Sequence, residues 1–512
     1  MRHADVYGWP AVPLPTAAES AEQDRAARAE AGIPERVLME DAGRSAALLI
    51  QRLYPEGRVV AAVGGGHNGG DAVVVLRSLR AWGRDVAFVR AGSRLPDPFP
   101  SHGYELPELK PEEAAGSFAA AGVIVDGILG TGTAGAPREP AASLIRAINA
   151  SGRPVVALDL PSGVDATTGA VPGEAVQAEV TVTFGSPKLG LMLHPARGAC
   201  GRLVAVEIGF PPAAARAFGA ELITPGWAAA RRPARDPSGH KGTSGRVLVL
   251  AGSEGMVGAA AITAEAAVRA GAGLVHVASA AANRAIVESV VPETIFVDRE
   301  AGLPPGLDAL VAGPGMGKDA AARRALEAAL EATPGKPALL DADALTLMAA
   351  DPEALRAHAA GRPIVLTPHP GEAARFTGGS VAQIVARRPD VARELAERTG
   401  CVVLLKGQPS VIAAPGAPLL VNTTGSSDVA SAGMGDQLSG TIGALLAAGL
   451  AARDAAGVGL FFAGRAADLA ARGRSLSPRD VSAHLHLAFA RPGARTPPFR
   501  LPFVSFDQPP RW

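Results

Sequence analysis

The stretch RVVAAVGGGHNGGDAVVVLRSLRAW, residues 58–82, decides the fold of the first half of the chain. Its beginning, Arg58–Val63, is a short apolar run typical of a buried strand, and Ala72–Trp82 has the composition of a helix. The segment between them contains a literal G-x-G-x-x-G over residues 64–69. A strand, a glycine-rich turn and a helix in this order predict a site for an anion or a nucleotide at the start of the helix.

The same glycine pattern occurs in dinucleotide-binding folds, which also carry an acidic residue at the end of the second strand to bind the ribose. Here the second predicted strand, Val86–Val89, is followed by Arg90, Ala91 and Gly92. This sequence disfavours an ordinary hydride-transfer domain. The glycine-rich loop still predicts binding of an anion or a nucleotide.

Strand-like and helix-like segments alternate along both halves of the chain. The further short apolar runs that read as strands are Gly122–Asp126, Pro154–Asp159, Ala178–Phe184, Arg202–Gly209, Val247–Leu250, Leu274–Ala278, Ala309–Ala312, Ala338–Asp341, Pro363–Leu366 and Val402–Lys406. Short apolar strands that are separated by helices predict a mainly parallel sheet covered by helices on both faces. We therefore expect an α/β protein, and a length of 512 residues predicts two domains.

Residues 224–245 are rich in Pro, Gly and Arg and show no apolar period. We predict that they form a linker leading into the second domain. The predicted domains are then residues 1–223 and residues 246–491. Residues 492–512 are Pro-rich, and we expect an arm that lies on the surface or on a neighbouring subunit of a homo-oligomer.

The composition excludes several classes of function. The formal net charge is +0 and 19% of the residues are charged, so no basic surface for nucleic acid is indicated. The two cysteines, Cys200 and Cys401, form no CxxC pair, which predicts a reduced, cytoplasmic protein. The best apolar run, Ala444–Ala452, is too short to span a membrane, and the N-terminus lacks the apolar core of a signal peptide.

Two more predicted strands of the first half end in polar residues. Asp126 is followed by GILGTG, and Asp159 is followed by LPSGVD. Because ligands of open α/β sheets bind at the carboxyl ends of the strands, Asn68, Asp126 and Ser162 would offer three hard oxygens to one crevice. Such a set suits an alkali or alkaline-earth cation and suits zinc poorly. Helix capping and turn formation by these residues stay open as the alternative.

A turn in the second half combines features of a phosphoryl-transfer site. Gly433-Met434-Gly435-Asp436 precedes a long apolar helix over about Gln437–Leu450. The amides at the helix start can hold a phosphate, and Asp436 can take the proton of an attacking hydroxyl. The alternative is a stabilising Asp in the first helical turn, worth about 0.3–1 kcal/mol.

The motifs of the first half resemble the NAD(P)H-hydrate epimerase domain. The matching stretches are GGGHNGGD, DGILGTG, LDLPSGVDATTG and FGSPKLGLMLHPARGACGRL, over about residues 15–215. The family loop usually reads G-N-N-G-G-D, so His67 is a departure. The resemblance implies a Rossmann-like three-layer α/β/α domain, with a potassium ion held by Asn68, Asp126 and Ser162.

The same resemblance implies a set of substrate contacts on two loops and one strand end. The hydrated nicotinamide dinucleotide is expected at His67, Asn68, Gly69, Gly70, Asp71, Gly130, Thr131, Gly132, Thr133, Ala134, Gly135, Ala136 and Asp159. Asp159 is the predicted acid/base group. For Lys188, a catalytic role and a phosphate or surface contact both stay open.

The loops of the second half follow its predicted strands in the order of a ribokinase-like α/β/α sandwich. They are Gly252-Ser253, Gly258–Ala260, Gly313–Gly317, Asp341–Ala344, Thr367–Glu372, Lys406–Ser410 and Gly433–Asp436. As an ordered set, over about residues 235–490, they resemble the ADP-dependent NAD(P)H-hydrate dehydratase domain. The family turn usually reads G-T-G-D, so Met434 is a departure.

This second resemblance implies two neighbouring ligands. The adenine nucleotide, ADP with Mg²⁺, is expected at Lys406, Gly407, Gln408, Pro409, Ser410 and Gly435. The hydrated substrate is expected at Ala259, Gly315, Gly317, His369 and Asp436, and Asp436 is the predicted catalytic base.

Together the two halves predict a bifunctional repair enzyme for NADH and NADPH that have been damaged by hydration. One rival is a ribokinase-like small-molecule kinase with an N-terminal binding or scaffold domain, which would leave a stable phosphorylated product. Another rival makes the first half catalytically idle. The presence of Asn68, Asp126, Asp159 and Ser162 argues against idleness.

Overall fold

The computed structural model describes residues 12–97, 99–211, 218–234, 237–490 and 503–505. The chain forms two compact units. Of the described residues, those from 12 to 220 and the strand Phe503–Ser505 belong to one, and those from 221 to 490 belong to the other. The predicted linker, residues 224–245, contains a short helix, Pro225–Arg231. The domain boundaries drawn from the sequence stay predictions.

The strands and helices are numbered here in chain order. The strands are β1 Val12–Pro13, β2 Val59–Val63, β3 Val86–Arg90, β4 Glu108–Leu109, β5 Val123–Gly127, β6 Val155–Leu158, β7 Val180–Phe184, β8 Arg202–Val206, β9 Ala220–Ile223, β10 Arg246–Leu250, β11 Leu274–Ser279, β12 Ile295–Asp298, β13 Ala309–Ala312, β14 Ala338–Leu340, β15 Ile364–Leu366, β16 Val402–Leu405, β17 Val411–Ala413, β18 Leu419–Asn422 and β19 Phe503–Ser505. The α-helices are α1 Ala17–Ala29, α2 Glu35–Leu53, α3 His67–Ala81, α4 Ala114–Ala120, α5 Ala141–Ala150, α6 Leu189–Met192, α7 Ala196–Ala199, α8 Pro225–Arg231, α9 Val257–Arg269, α10 Arg284–Val290, α11 Ala320–Ala332, α12 Ala342–Ala349, α13 Pro352–Gly361, α14 Pro370–Thr377, α15 Val381–Ala386, α16 Arg388–Thr399, α17 Met434–Ala447, α18 Ala452–Ala470 and α19 Pro478–Ala490.

The first unit is built on a sheet with the strand order β4-β3-β2-β5-β6-β7-β8-β19. Its neighbours from β4 to β8 pair in parallel, and β19 pairs with β8 in the antiparallel sense. The strand order therefore reverses between β2 and β5. A crevice at the carboxyl ends of the strands is expected at such a reversal.

The second unit repeats this principle with different strands. Its strands run in the order β9-β18-β17-β16-β15-β14-β13-β10-β11-β12. Pairing is parallel from β12 to β16 and antiparallel from β16 to β18. The reversal lies between β10 and β13, so the loops after these two strands border the second expected crevice.

Both sheets are covered on both faces. In β2, Val59 and Ala61 share a core with α2 and α3, whereas Val60 and Ala62 share a different core with α4 and α5. In β10, the successive residues Leu248 and Val249 are both buried. Since successive side chains of a strand point to opposite faces, helices must cover each sheet on both sides. The predicted α/β/α layering of both halves is confirmed.

Two helices begin earlier than the sequence predicts. Helix α3 begins at His67 and not at Ala72, and α17 begins at Met434 and not at about Gln437. Gly66, in an extended conformation, precedes the first, and Gly433, with φ of 82°, precedes the second. The polar residues after these glycines therefore lie in the first helical turns. In the described ranges, no helix is long and apolar enough to cross a membrane.

Helix α17 packs closely on α9 at Gly440. A Cβ at Gly440 would lie 2.0 Å from the carbonyl oxygen of Thr263 and 2.9 Å from the Cβ of Ala266. We predict that Gly440→Ala destabilises the second unit by about 1–3 kcal/mol, because one helix must move away from the other. Differential scanning calorimetry measures the change.

The matched control is Gly258→Ala on α9, where a Cβ would meet nothing within 4 Å. This variant should be as stable as the wild type or gain up to about 1 kcal/mol from helix propensity. A Gly440→Ala chain that melts at or above the wild-type temperature would contradict the predicted clash.

Candidate active sites

The first candidate site lies at the reversal between β2 and β5. Gly64 donates its N–H to the carbonyl of Gly127 at 2.9 Å. A Cβ at Gly64 would lie 1.9 Å from the carbonyl oxygen of Ile128, and one at Gly69 would lie 1.9 Å from that of Gly64. Glycine is therefore required at both positions by close backbone approach, and the loops after the two strands touch each other.

The structure brings Asn68, Asp126 and Ser162 together at this point. The Asp126 carboxylate is fully buried and accepts hydrogen bonds from Ser162 Oγ at 2.6 Å and from Ser162 N at 2.8 Å. Asn68 Nδ2 donates to the carbonyl of Leu129 at 2.8 Å. The Leu129 N–H donates to Ser162 Oγ at 2.9 Å, which links the three side chains through one loop.

One atom of this cluster lacks a partner. Asn68 Oδ1 is buried and accepts no hydrogen bond from the described part of the chain. A buried carbonyl oxygen without a donor costs about 1–3 kcal/mol, so its position calls for a ligand. Burial also raises the pKa of the Asp126 carboxyl to about 6, although its bonds from Ser162 and Ile128 act in the opposite direction. A cation at this point would satisfy the amide oxygen and favour the ionised carboxylate.

Asp159 and Lys188 form a buried ion pair next to this cluster. Asp159 follows β6 with φ of 62°, a conformation that is costly for a residue with a Cβ. Lys188 is 2% exposed, and its ammonium donates to Asp159 Oδ1, to the Phe184 carbonyl at 2.9 Å and to Thr183 Oγ1 at 3.2 Å. Lys188 is therefore held inside the site. Of the alternatives that the sequence left open, a surface contact does not agree with this position.

Two further carboxyls face this ion pair. Burial is the main cause that raises the pKa of Asp71 well above its ordinary value, and the charges of Asp159 and Asp24 add to it. The pKa of Asp24, on α1, is raised by burial and by Asp159, while Lys188 acts against the shift. One lysine therefore faces three carboxyls. Asp71 is a predicted site residue, whereas no sequence motif indicated Asp24.

The predicted substrate contacts of the first unit lie partly at its surface and partly inside it, because Asn68, Gly69, Gly70 and Asp71 are buried. His67 is the first residue of α3, its ring is mostly exposed, and Nε2 lies 2.9 Å from Glu35 Oε1. The segment from Gly130 to Ala136 is half-buried at its start and exposed from Gly132 onward. His67 and the segment from Gly132 to Ala136 are thus open to a ligand. Each borders the Asn68 cluster, since a Cβ at Gly130 would lie 3.2 Å from the Asn68 Cβ.

The second candidate site lies at the reversal between β10 and β13. Gly252 donates its N–H to the Pro314 carbonyl at 2.9 Å, and Ser253 donates to the Gly315 carbonyl at 2.6 Å. A Cβ at Gly315 would lie 3.1 Å from the Ala259 Cβ, so these two predicted substrate contacts are neighbours. Gly317 belongs to the same loop, and its N–H donates to Asp343 Oδ2 at 3.0 Å.

Asp436 lies in the first turn of α17 beside a half-buried cation, Lys406. A Cβ at Gly435 would lie 3.3 Å from Lys406 Nζ, so the lysine that follows β16 reaches the start of α17. Burial is the main cause that raises the pKa of Asp436 to about 7; Asp341 and Asp343 add to the shift, and Lys406 opposes it. Asp436 can therefore exchange a proton near neutral pH.

An arginine binds the backbone of the predicted nucleotide loop, Lys406–Ser410. Arg388 is 7% exposed and donates through one guanidinium nitrogen to the carbonyls of Gln408 at 3.0 Å and Pro409 at 3.2 Å. A Cβ at Gly407 would lie 2.6 Å from the Arg388 guanidinium carbon. The loop conformation thus depends on Arg388, which no sequence motif indicated.

His369 serves as the N-cap of α14. Its Nδ1 accepts from the N–H groups of Gly371 at 3.0 Å and Glu372 at 3.3 Å, and its own N–H donates to Glu372 Oε2 at 2.9 Å. Its ring is half-exposed at the same edge as the other loops. The turn-forming role that the sequence allowed is present, and Nε2 lies 3.5 Å from Glu372 Oε1.

Comparison with known proteins gives a consistent result for the two units. Residues 247–486 match the family model described as NAD(P)H-hydrate dehydratase, and residues 35–190 match the model of the YjeF-related protein N-terminus. The chain is 38% identical to the bifunctional NAD(P)H-hydrate repair enzyme of Moorella thermoacetica, over 90% of this chain and 93% of the relative. It is 39% identical to the enzyme of the same description from Escherichia coli, over 85% of each chain.

The chain belongs to the family of bifunctional NAD(P)H-hydrate repair enzymes. The resemblance stated from the sequence motifs is thereby confirmed. Among solved structures, the ADP/ATP-dependent NAD(P)H-hydrate dehydratase of Bacillus subtilis, co-crystallised with ATP and Mg²⁺, is 29% identical with a TM-score of 0.48. The match covers 54% of this chain and 99% of that one.

The structure brings together residues that the sequence predicted in separate motifs. Asn68, Asp126 and Ser162 meet, and so do Lys406, Gly435 and the turn that carries Asp436. The sequence missed Asp24 and Arg388 as members of the sites, and also Ser439, whose Oγ donates to Asp341 Oδ2 at 2.8 Å beside Lys406. It gave no signal for them, because none lies in a glycine-rich or strand-end motif.

Proposed function

We propose that this chain repairs hydrated NADH and NADPH in two steps. The first unit interconverts the R and S epimers of the hydrate. The second unit dehydrates the S epimer with ADP and releases NAD(P)H, AMP and phosphate. The observation that carries the proposal is the position of Asp436, whose pKa burial raises to about 7, in the first turn of α17, where the Lys406 ammonium also reaches the backbone at Gly435. This arrangement provides a base and an anion site at one point.

The dehydration follows from the chemistry of the leaving group. A hydroxyl on the hydrated nicotinamide ring leaves poorly. Asp436 would take the hydroxyl proton while the oxygen attacks the terminal phosphorus of ADP, and AMP departs. The ring nitrogen then donates its electron pair, the carbon–oxygen bond breaks, and phosphate leaves with that oxygen. Loss of a proton from the adjacent ring carbon forms the ring double bond and restores the neutral dihydronicotinamide. The amides at the start of α17 and the Lys406 ammonium would hold the transferring phosphoryl group.

The predicted contacts divide between the two ligands. The nucleotide would lie on Lys406–Ser410 and on Gly435, over the loop that Arg388 holds. The substrate would lie near Ala259 and Gly315, with Gly317 and His369 at the edge of the same crevice. Mg²⁺ prefers oxygen ligands, and in such sites it is bound through one or two carboxylates and phosphate oxygens. The ion would come with the nucleotide and neutralise charge on its phosphates.

In the first unit, Asp159 is the proposed acid/base group and Lys188 its buried partner. Epimerisation requires that bonds at one carbon of the ring break and re-form on the other face, with a proton donor and acceptor close by. The Asp159 carboxylate and the Lys188 ammonium can exchange these roles inside one ion pair. His67–Asp71 and Gly130–Ala136 would hold the dinucleotide at the mouth of the site.

A potassium ion fits the cluster of Asn68, Asp126 and Ser162. The fit rests on the unpartnered, buried Oδ1 of Asn68 and on the buried carboxylate of Asp126. These are hard oxygen donors, and a bound alkali cation would supply positive charge for a substrate phosphate or ring oxygen. Homo-oligomer formation and a cytoplasmic location are further parts of this proposal.

The role of Asp436 predicts a pH dependence of the dehydratase. A base must be deprotonated to act, so kcat/KM for S-NADHX should rise with pH and level off above about pH 7, where the free Asp436 carboxyl is ionised. Asp436→Ala should lose about 10²–10⁴ in rate while it still binds ADP. Absorbance of reformed NADH at saturating ADP and Mg²⁺ measures the rate, and calorimetry measures ADP binding. Full turnover by Asp436→Ala, or a stable phosphorylated product, would overturn the assignment.

Stereochemistry separates the two units. We predict that Asp159→Ala no longer consumes R-NADHX in the coupled assay, because the acid/base group of epimerisation is removed. Turnover of S-NADHX should stay at the wild-type value, because it depends on the second unit, and circular dichroism checks that the first unit is folded. If R-NADHX is still consumed at the wild-type rate, Asp159 is not the acid/base group.

Potassium should stabilise the first unit in a pH-dependent way. The cation and a proton compete for Asp126, whose pKa is about 6, so stabilisation should be present at pH 8 and lost at pH 5. At ten times its Kd the ion adds about 1.4 kcal/mol. Calorimetry in KCl, compared with equal LiCl, measures the shift, and Asp126→Asn should abolish it. Equal melting temperatures in the two salts at pH 8 would contradict a specific potassium site.

A further inference from the structure

Asp341 makes contacts that its position in the sequence does not explain. It is the N-cap residue of α12, a place where Asp commonly bonds to the backbone of its own helix. Here the side chain makes no capping bond. Its carboxylate instead accepts from Lys406 Nζ at 2.8 Å and from Ser439 Oγ at 2.8 Å, and the residue is 1% exposed.

The backbone fixes this orientation. Ala342, the next residue, has φ of 47°, which costs a non-glycine residue roughly 1–2 kcal/mol. On the other side, Gly313 lies so close that a Cβ there would be 1.8 Å from the Asp341 carbonyl oxygen. Asp341 is thus clamped between the loop after β13 and the strained start of α12. Such local strain persists only where the surroundings impose it.

The ion pair of Asp341 and Lys406 lies against the first turn of α17. A Cβ at Gly435 would lie 3.3 Å from Lys406 Nζ and 3.5 Å from Asp341 Oδ2. Ser439, one turn after Gly435, bonds the same carboxylate. The pair is therefore adjacent to the backbone amide of Gly435 and to the proposed base, Asp436.

Several charged side chains interact with the Lys406 ammonium and with the Asp436 carboxyl. Lys406 interacts with Asp341, Glu372 and Asp436, and Asp436 interacts with Asp341, Lys406 and Asp343. Asp341 and Asp436 therefore compete for one ammonium. If Lys406 paired with Asp436, the base would be held in its ionised, weakly basic form, and the phosphates would lose their cation.

We propose that Asp341 is a positioning residue that holds the Lys406 ammonium at the nucleotide phosphates and away from Asp436. The inference rests on the proposed dehydratase function. Asp341 touches no reacting atom in this role. It keeps a cation and a base separate at one helix N-terminus, so that each acts on its own part of the phosphoryl transfer.

The test is Asp341→Asn in the full-length chain, which preserves the size of the side chain and removes its charge. Lys406 should then turn toward Asp436. We expect KM for ADP to rise about tenfold and kcat to fall about tenfold. The acid limb of kcat/KM should move to lower pH by about one unit, because repulsion of the Asp436 carboxylate by Asp341 is lost and attraction by Lys406 grows. General damage to the fold would lower the rate without moving this limb.

A double variant tests the route through the lysine. In a Lys406→Met chain, Asp341→Asn should change KM for ADP no further.

Asp351→Asn is the matched control, because it makes the same chemical change at the N-cap of α13. There the Asp351 side chain does cap its own helix, at 3.1 Å, so KM for ADP and the pH profile should stay unchanged. Ser439→Ala removes one hydrogen bond to Asp341 and keeps every charge, so KM for ADP should rise about threefold with the acid limb unmoved.

The outcomes are distinguishable. A wild-type chain that does not dehydrate S-NADHX would refute the proposed function itself. An active wild type with unchanged KM and an unmoved acid limb in Asp341→Asn would overturn only the role of Asp341. If circular dichroism shows that Asp341→Asn does not fold, an unchanged KM for ADP in Ser439→Ala would overturn it instead.

Discussion

A parallel sheet brings the carboxyl ends of its strands to one edge, and both sites depend on this constraint. Side chains that leave the edge where the strand order reverses can share a ligand. In each unit a glycine lets two neighbouring strand-end loops touch, at the reversal in the first unit and next to it in the second. Gly64 lets the loop after β2 touch Ile128, and Gly313 lets the loop after β13 touch Asp341. Without these contacts the functional groups would stand on separate loops.

Each site pairs one lysine with one aspartate at such an edge, and at least one partner of each pair is buried. In the first unit the pair is Lys188 with Asp159, and in the second it is Lys406 with Asp341. A buried ion pair gives little net stability compared with well-packed apolar residues, so stability does not explain its presence. What it supplies is a charge in a fixed place. In the first pair the aspartate is itself the proposed acid/base group, whereas in the second the base is a third residue, Asp436.

The two activities need each other for a chemical reason. A dehydratase that accepts the S hydrate leaves the R hydrate unrepaired unless the two interconvert. The family relatives carry both functions in one chain, and this chain matches them over most of their length. The departures at His67 and Met434 are both compatible with the geometry. His67 begins α3 with an exposed ring, and Met434 begins α17 between the glycines that shape the turn.

The sequence by itself determined the α/β class, most of the parallel strands and the loops that carry the sites, but it did not predict β12, β17 or β18. These properties are local, because period, glycine placement and strand-end polarity are read within a few residues. It also determined the family, since the motifs lie in those loops. Helix starts were misplaced by a few residues where glycine-rich polar segments turned out to be helical, as at His67.

Only the tertiary structure decided which charges meet. Asp126 contacts Ser162 across 36 positions of the chain, and Lys406 contacts Asp341 across 65. No local pattern records such pairs, because they depend on strand order and on how deeply each strand end is buried. Burial also raises the pKa of Asp436, and packing places the Arg388 guanidinium against the nucleotide loop. The chain fixes its chemistry locally, and packing decides which of its charged groups can act together.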